Sequence, residues 1–461
     1  METVTGRLAA FATGLRYDAL PEDVVAKAKT CLLHSIGAAI PSYNDPLIRA
    51  LRDLASADAP ARRDGARIYV YGDLVSPLEA AFVNAAMSHR RTQEDTYATY
   101  LHMGVVVVPT VLAVGERLGR PGKDLLAAIV AGYEVTAAIG KDLVAYTTPK
   151  GLRPTSLYAV FGAAAAAGRL LGLAEAQAQH ALGHAANFGM GLTECLRAGS
   201  LEWCVEVGMA ARNGVLAAML AQKGVAAAGT AIEGDSGFLK AFVGTTEPAC
   251  AIGRDLGRTY EILKTTLKPF PSGMGTQSPI TAMLNLLRRH PVAAQDIEEI
   301  ELRMNPHEAR YPSQGWGPFA TADATVGNNP YHLAVACVEG KVTRQGLQRY
   351  YDDPLVLRVT RKVRVVADDR LAPLCCRVAI RTRDGARHEE GMDVTPTYFS
   401  FDFDRDLGVV REMVAESDFP LERVEQMAEV IRHIERLPNA KRLVSLIVRR
   451  QSRRGPRATT P

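Results

Sequence analysis

The sequence predicts a mainly α protein with a smaller α+β domain: a large all-helical domain plus a small α+β domain. Three observations carry this. Apolar residues recur at three- and four-residue spacing through almost everything before residue 265. Strand-like alternation begins only beyond that point. Helical spacing then returns after residue 396. The expected division is 1–265 helical, 266–396 small α+β domain, and 397–461 C-terminal helices that return to the helical domain and end in a disordered tail.

Pro21-Glu22-Asp23 starts a helix through Val24, Val25, Ala28, Cys31, Leu32 and Ile36. Ser76-Pro77 opens another over 78–87. Helices follow at 123–139, 157–171, 174–188 and 208–222, several of them apolar nearly all round. Such helices belong in the centre of a bundle or at a subunit interface. Runs of Ala and Gly at 162–168, 181–189 and 208–218 predict close helix–helix approach. In the second part, 297–304, 362–367 and 376–382 alternate as strands. A turn at Arg383-Asp384-Gly385 and a return through Arg387-His388-Glu389 form a hairpin signal. Helices are expected between the strands at 277–287 and 330–338, and at the end over 406–413 and 421–436.

Composition excludes several classes. Hydrophobic residues make up 47% and charged residues 23%, ordinary for a globular chain. A net charge of +4 is too mild to argue for nucleic acid. Arg449, Arg450, Arg453, Arg454 and Arg457 crowd the C-terminus without interleaved aromatics and read as a solvated tail. Seven scattered cysteines with no C-x-x-C spacing imply neither a disulfide framework nor a zinc site, and fit a cytoplasmic location. No secretory signal is evident, and no uninterrupted apolar run is long enough for a membrane span. His180 and His184 stand i, i+4 on one helix, but no carboxylate lies between or just after them, and they read as packing rather than metal ligands.

The chemistry-bearing stretch is Glu94-Asp95-Thr96, then His102, Gly104 and Val105-Val106-Val107-Val108-Pro109. A helix starting at Pro109 would offer free N–H groups and partial positive charge to an anion. Acid, imidazole and anion site together suit proton transfer on a carboxylate substrate. A capped helix start with one solvated histidine is the bland alternative.

Several stretches, in collinear order, resemble the MmgE/PrpD family, which includes 2-methylcitrate dehydratase and cis-aconitate decarboxylase. Asn84-Ala85-Ala86-Met87-Ser88-His89, then Glu94-Asp95-Thr96 and His102, is similar to its N-G-x-x-x-H…D-D-T…H-P-G segment. Arg153-Pro154-Thr155 with Phe161-Gly162-Ala163-Ala164 resembles H-P-T…G-x-F-G-A-A. Gly208 to Gly214, Leu220 to Gly224 and Ile232-Glu233-Gly234 match further on, and Lys268-Pro269-Phe270-Pro271-Ser272 resembles the family's entry into its small domain.

The resemblance implies a homodimeric lyase that binds a small-molecule carboxylate between a helical domain and a lid, with no metal or other cofactor; composition already argued against nucleic acid and membrane as partners. His102 is then the first choice for acid or base, with Asp95 orienting it or acting alongside, Thr96 as a hydroxyl donor, and Lys268 and Arg153 holding carboxylates. Glu94, His89, Ser272 and Gln277 join as candidate substrate contacts. Each has a plain counterpart in capping or packing, which for His89 is the preferred reading. The chain departs from the pattern at Thr92, where an acid is expected, and at Arg153, where a histidine is expected. It departs again at Glu202-Trp203, in place of a basic residue, and at Gly273, in place of a histidine. These departures argue against decarboxylation of cis-aconitate. They leave elimination of water from a hydroxylated di- or tricarboxylate as the leading expectation. Epimerisation or isomerisation of a small dicarboxylate by the same proton abstraction is the second, and a catalytically degraded dimeric scaffold or ligand-binding protein the third.

Overall fold

The computed structural model describes residues 3–57, 64–98, 100–310, 314–395 and 397–449. The tail arginines from Arg450 onward lie outside them. Arg449, expected in the solvated tail, is instead docked: its backbone N–H donates to the Val70 carbonyl and its guanidinium lies 2.8 Å from Asp418.

Ten helices lead the chain: α1 (Val4–Gly14), α2 (Glu22–Ala39), α3 (Pro46–Ala57), α4 (Pro77–His89), α5 (Gly104–Leu118), α6 (Gly122–Thr147), α7 (Pro154–Leu171), α8 (Glu175–Phe188), α9 (Glu194–Ala198) and α10 (Glu202–Gln222). One short ribbon, β1 (Ala66–Arg67) with β2 (Leu74–Val75), interrupts them. Helices α5, α6 and α7 are buried along nearly their whole length. Close approach depends on small residues. A Cβ at Gly162 would run into the Gly132 carbonyl of α6, and one at Gly214 of α10 into Ala163 of α7. Helix α10 is the one helix among the described residues long and apolar enough to cross a membrane, but it packs against α4, α7 and α8.

The expectation of near-continuous helix to residue 265 fails after α10. Residues 223–266 form turns, three short 3-10 or π segments and two isolated bridges. Glycines at 224, 229, 234, 237, 244, 253 and 257 and Pro248 break helical continuity there. One of these segments, Glu261–Lys264, is capped from below: the buried Glu134 carboxylate accepts the Glu261 and Ile262 N–H groups, each at 2.9 Å. Burial pushes the Glu134 carboxyl up to about 7.

The second unit holds α11 (Gln277–Arg289), β3 (Ile297–Met304), α12 (Pro306–Ala309), α13 (Asn329–Glu339), α14 (Arg344–Tyr350), α15 (Pro354–Thr360), β4 (Val363–Ala367), β5 (Cys376–Thr382) and β6 (Arg387–Met392). Its sheet has the order β4-β3-β5-β6, with β4 parallel to β3 and the other pairs antiparallel. The parallel pair needs a long crossover, supplied by α12 to α15. Gly385, at φ 87°, makes the β5–β6 turn. The chain closes with α16 (Phe403–Ala415), α17 (Leu421–Arg432) and α18 (Lys441–Ile447).

Two large hydrophobic cores form among the described residues. One joins residues between Val4 and Ile262 to Leu407 through Ile447; the other spans Ile280 to Val394. A small cluster of Leu267, Met274, Phe399 and Phe401 lies at the crossing between them.

Candidate active site at the junction of the two units

The loop from Arg90 to Met103 leaves α4 and enters α5 beside this crossing. An isolated antiparallel bridge pins it to the linker: Thr96 N–H donates to the Thr266 carbonyl and Thr266 N–H to the Thr96 carbonyl, both at 2.8 Å. Gln93 Nε2 donates to the Pro269 carbonyl at 2.7 Å. These bonds bring Lys268 back onto the loop, 174 residues along the chain from Glu94.

Glu94 is the centre of the cluster. Its carboxylate is 2.5 Å from Lys268 Nζ and 3.5 Å from His102 Nδ1 through Oε1. It is 3.2 Å from His89 Nδ1 through Oε2. Burial alone would raise the Glu94 carboxyl; Lys268, His89 and His102 outweigh it and hold the group well below the usual carboxylate range. Lys268 also donates to the Thr92 carbonyl at 3.3 Å. Thr92 stands at φ 56°, left-handed backbone that a β-branched residue rarely adopts. Such conformations cost on the order of 1–3 kcal/mol and gather at functional sites.

The His102 tautomer follows from its neighbours. Nδ1 lies 2.9 Å from the Asp95 carbonyl, which can only accept, so Nδ1 carries the proton. Thr96 Oγ1, at 3.2 Å, is on the same side. The ring edge facing away from these oxygens therefore carries the unprotonated Nε2. Burial, then the Lys268 ammonium, holds the imidazole well below its usual range. The side chain keeps 16% exposure, against 2% for Glu94 and 1% for Lys268. His102 is thus the member of the cluster that solvent reaches.

Asp95 corrects two expectations. Its carboxylate does not orient His102; only its backbone carbonyl does. The carboxylate accepts the Gly104 N–H at 3.0 Å and the Tyr133 hydroxyl at 2.7 Å. Burial raises its carboxyl above the ordinary value. The helix also starts at Gly104 rather than Pro109, and the N-terminus expected to take a substrate anion is filled by the protein's own carboxylate. Gly104 permits this approach, because a Cβ there would collide with the Tyr133 hydroxyl and the Asp95 carboxylate.

Behind His102 lies His89, with ring centroids 5.3 Å apart. Arg153 Nη2 donates to His89 Nε2 at 2.5 Å, and Nη1 to the Trp203 carbonyl at 3.0 Å. Arg153 is 3.6 Å from Glu206. The carboxylate holder expected at 153 is thus engaged by protein partners in this structure. Burial pulls the His89 imidazole down to about 4. Packing is part of its role: Trp203 meets it edge-on at 4.9 Å.

Ser272 and Gln277, named as substrate contacts, brace the loop that leads into α11 instead. Gln277 Oε1 accepts the Phe270 N–H, and Nε2 donates to the Phe270, Ser272 and Gly273 carbonyls. Ser272 Oγ accepts the Gly327 N–H at 3.3 Å. His180 and His184 meet the backbone of Ala227 and Val225. No group of three or more metal-ligating side chains converges among the described residues.

Sequence reasoning missed Tyr133, Trp203, Glu206 and the buried pair of His34 with Asp406. His34 Nδ1 lies 2.6 Å from Asp406, and Nε2 lies 2.7 Å from the Gln93 carbonyl, so the pair props the loop from beneath. The available signal was the polar group inside an otherwise apolar run, as at Tyr133 and His34.

Two family models match the chain: the MmgE/PrpD N-terminal domain over residues 6–251 and the MmgE/PrpD C-terminal domain over 270–400. Similar curated proteins include the cis-aconitate decarboxylase of Aspergillus terreus, 27% identical over 389 residues, which covers 78% of this chain and 77% of that protein. The Homo sapiens cis-aconitate decarboxylase is 23% identical over 470 residues, covering 97% and 95%. A cis-aconitate decarboxylase-like protein of Aspergillus oryzae is 24% identical over 472 residues, covering 96% and 97%.

Proposed function

The chain belongs to the MmgE/PrpD family, and from that premise we propose that it is a lyase acting on a carboxylic acid, with His102 Nε2 as the base that removes a proton next to the carboxylate. The observation that carries this reading is the fixed tautomer: an imidazole that gives its Nδ1 proton to the Asp95 carbonyl and so leaves Nε2 open, in a side chain that keeps 16% exposure. Lys268, 1% exposed and paired with Glu94, acts through its charge beside the imidazole, which favours a developing enolate there. Thr96 keeps its hydroxyl against the imidazole at 3.2 Å.

Between the lyase reactions, elimination of water from a β-hydroxy acid suits this imidazole better than decarboxylation. Elimination takes a proton from carbon and forms the alkene as the C–O bond breaks. The imidazolium so formed returns that proton to the departing hydroxide, which leaves as water. Decarboxylation of an unsaturated acid must put one on, and a histidine held neutral starts without that proton. The names of the similar proteins favour decarboxylation as the second reading. Incubation with β-hydroxy acids and with cis-aconitate separates the two. The proposal expects alkene absorbance from a hydroxy acid without CO2. Release of CO2 from cis-aconitate with no dehydration would replace it with the second reading.

A further inference from the structure

The next inference rests on the reading of His102 as a base and concerns what fixes the charge around it. Position 153, where a histidine is expected, carries an arginine, a permanent cation. It stands at the N-cap of α7, with its backbone N–H on the Gly191 carbonyl at 3.0 Å. Its guanidinium meets His89: Nη2 donates to His89 Nε2 at 2.5 Å, while Nη1 is anchored on the Trp203 carbonyl at 3.0 Å. A guanidinium has only donors, so His89 Nε2 must accept and the ring proton must sit on Nδ1. Nδ1 lies 3.2 Å from Glu94 Oε2. The other oxygen of that carboxylate, Oε1, is 3.5 Å from His102 Nδ1 and 2.5 Å from Lys268 Nζ. Guanidinium, neutral imidazole and carboxylate thus form a line that ends beside the base.

The line is closed to a further proton. A proton added to His89 Nε2 would set N–H against N–H at the 2.5 Å contact and a second positive charge beside Arg153. Burial is the largest force against a charged His89; Glu94 favours that charge, and Arg153 and Lys268 oppose it. The remaining neighbours are accounted for. The His102 ring, itself held well below its usual range, lies 5.3 Å away between centroids. Trp203 meets His89 edge-on at 4.9 Å, and Arg90, 5.9 Å from the indole centroid, is paired with Asp45 and Asp323. Glu206 lies 3.6 Å from the Arg153 guanidinium. Without the donor at 153, Glu94 would draw a proton onto His89. That would place a full positive charge on the ring next to His102 and oppose the imidazolium that His102 becomes when it takes a proton from carbon.

We infer that Arg153 is a positioning residue for His102: by donating into His89 it keeps that ring neutral and its proton turned to Glu94, so that no positive charge forms on the ring next to the base. Nitrogen NMR of the histidine rings between pH 5 and pH 8 tests this on the full chain, first in the wild type with no substrate. His89 should show a protonated Nδ1 and a bare Nε2 throughout. In Arg153→Met it should take up a second proton within that range, moving toward the ~6.5 of a free imidazole, and Arg153→Lys should move it less. The activity readout is kcat/KM for elimination of water from a β-hydroxy acid. Arg153→Met should lose at least ~10-fold more at pH 6 than at pH 8, whereas a purely structural loss would be alike at both. A wild-type His89 with its proton on Nε2, or charged at pH 6, overturns the inference, whether or not the variants fold. An unchanged His89 titration in folded Arg153→Met overturns it too. If the NMR signature appears and no hydroxy acid is dehydrated, the reading of His102 as base falls while the lock of Arg153 on His89 stands.

Discussion

At position 102 the two ring nitrogens face different surroundings, and the chemistry follows from that asymmetry. Oxygens of Glu94, Asp95 and Thr96 surround Nδ1, while Nε2 stands on the opposite edge of the ring. Because His102 is held well below its usual range, the acid limb of kcat/KM should fall below pH 6.5, the value of a free imidazole. A pH–rate profile reads it. His102→Ala should lower kcat at least ~100-fold while the melting temperature changes little. For stability the sign is that of a histidine buried neutral. His89, pulled down to about 4, binds its proton more readily unfolded than folded between pH ~6.5 and ~4. This residue therefore destabilises the fold as pH falls through that window; urea titrations of the wild type and His89→Gln measure its share. The motif made Glu94, Thr96 and His102 legible because they are close in sequence. It could not reveal that Asp95 turns its carboxylate away, since that depends on Tyr133 arriving from another helix.

Among the elements, the loop between α4 and α5 is held from three sides: the Thr96–Thr266 bridge, the His34–Asp406 pair beneath Gln93, and the ion pair of Lys268 with Glu94. Lys268→Met would leave Glu94 charged and unpaired in the interior. It should cost about 3–5 kcal/mol. Adding Glu94→Gln should recover part of that loss, which a double-mutant cycle by chemical denaturation measures. Gly162→Ala should destabilise by roughly 1–3 kcal/mol, because the added carbon meets the Gly132 carbonyl and α6 and α7 must separate. Long periodic helices and the β5–β6 hairpin were legible in advance, since their signals are local. The start of α5 was not: Pro109 is a strong local cue, but the buried run of Val105 to Val108 and the Asp95 cap extend the helix back to Gly104.

For the whole molecule, the two cores and the linker between them explain why the site forms where it does. Lys268 sits beside the crossing, and the bridge at Thr266 fixes its reach. The over-apolar α10 leaves a half-buried stripe of Val205, Met209, Leu216, Met219 and Leu220 at helical spacing. We propose that this face packs against a second copy, and sedimentation equilibrium should return a homodimer that Met209→Glu with Leu216→Glu weakens. The central claim is proton abstraction by His102, and deuterium incorporation reads it most directly. Hydroxy acids are incubated in deuterated water with wild type and with folded His102→Ala, and exchange at the carbon next to the carboxylate is followed by NMR. The account predicts exchange with the wild type and its loss in the variant; exchange undiminished in His102→Ala would contradict it.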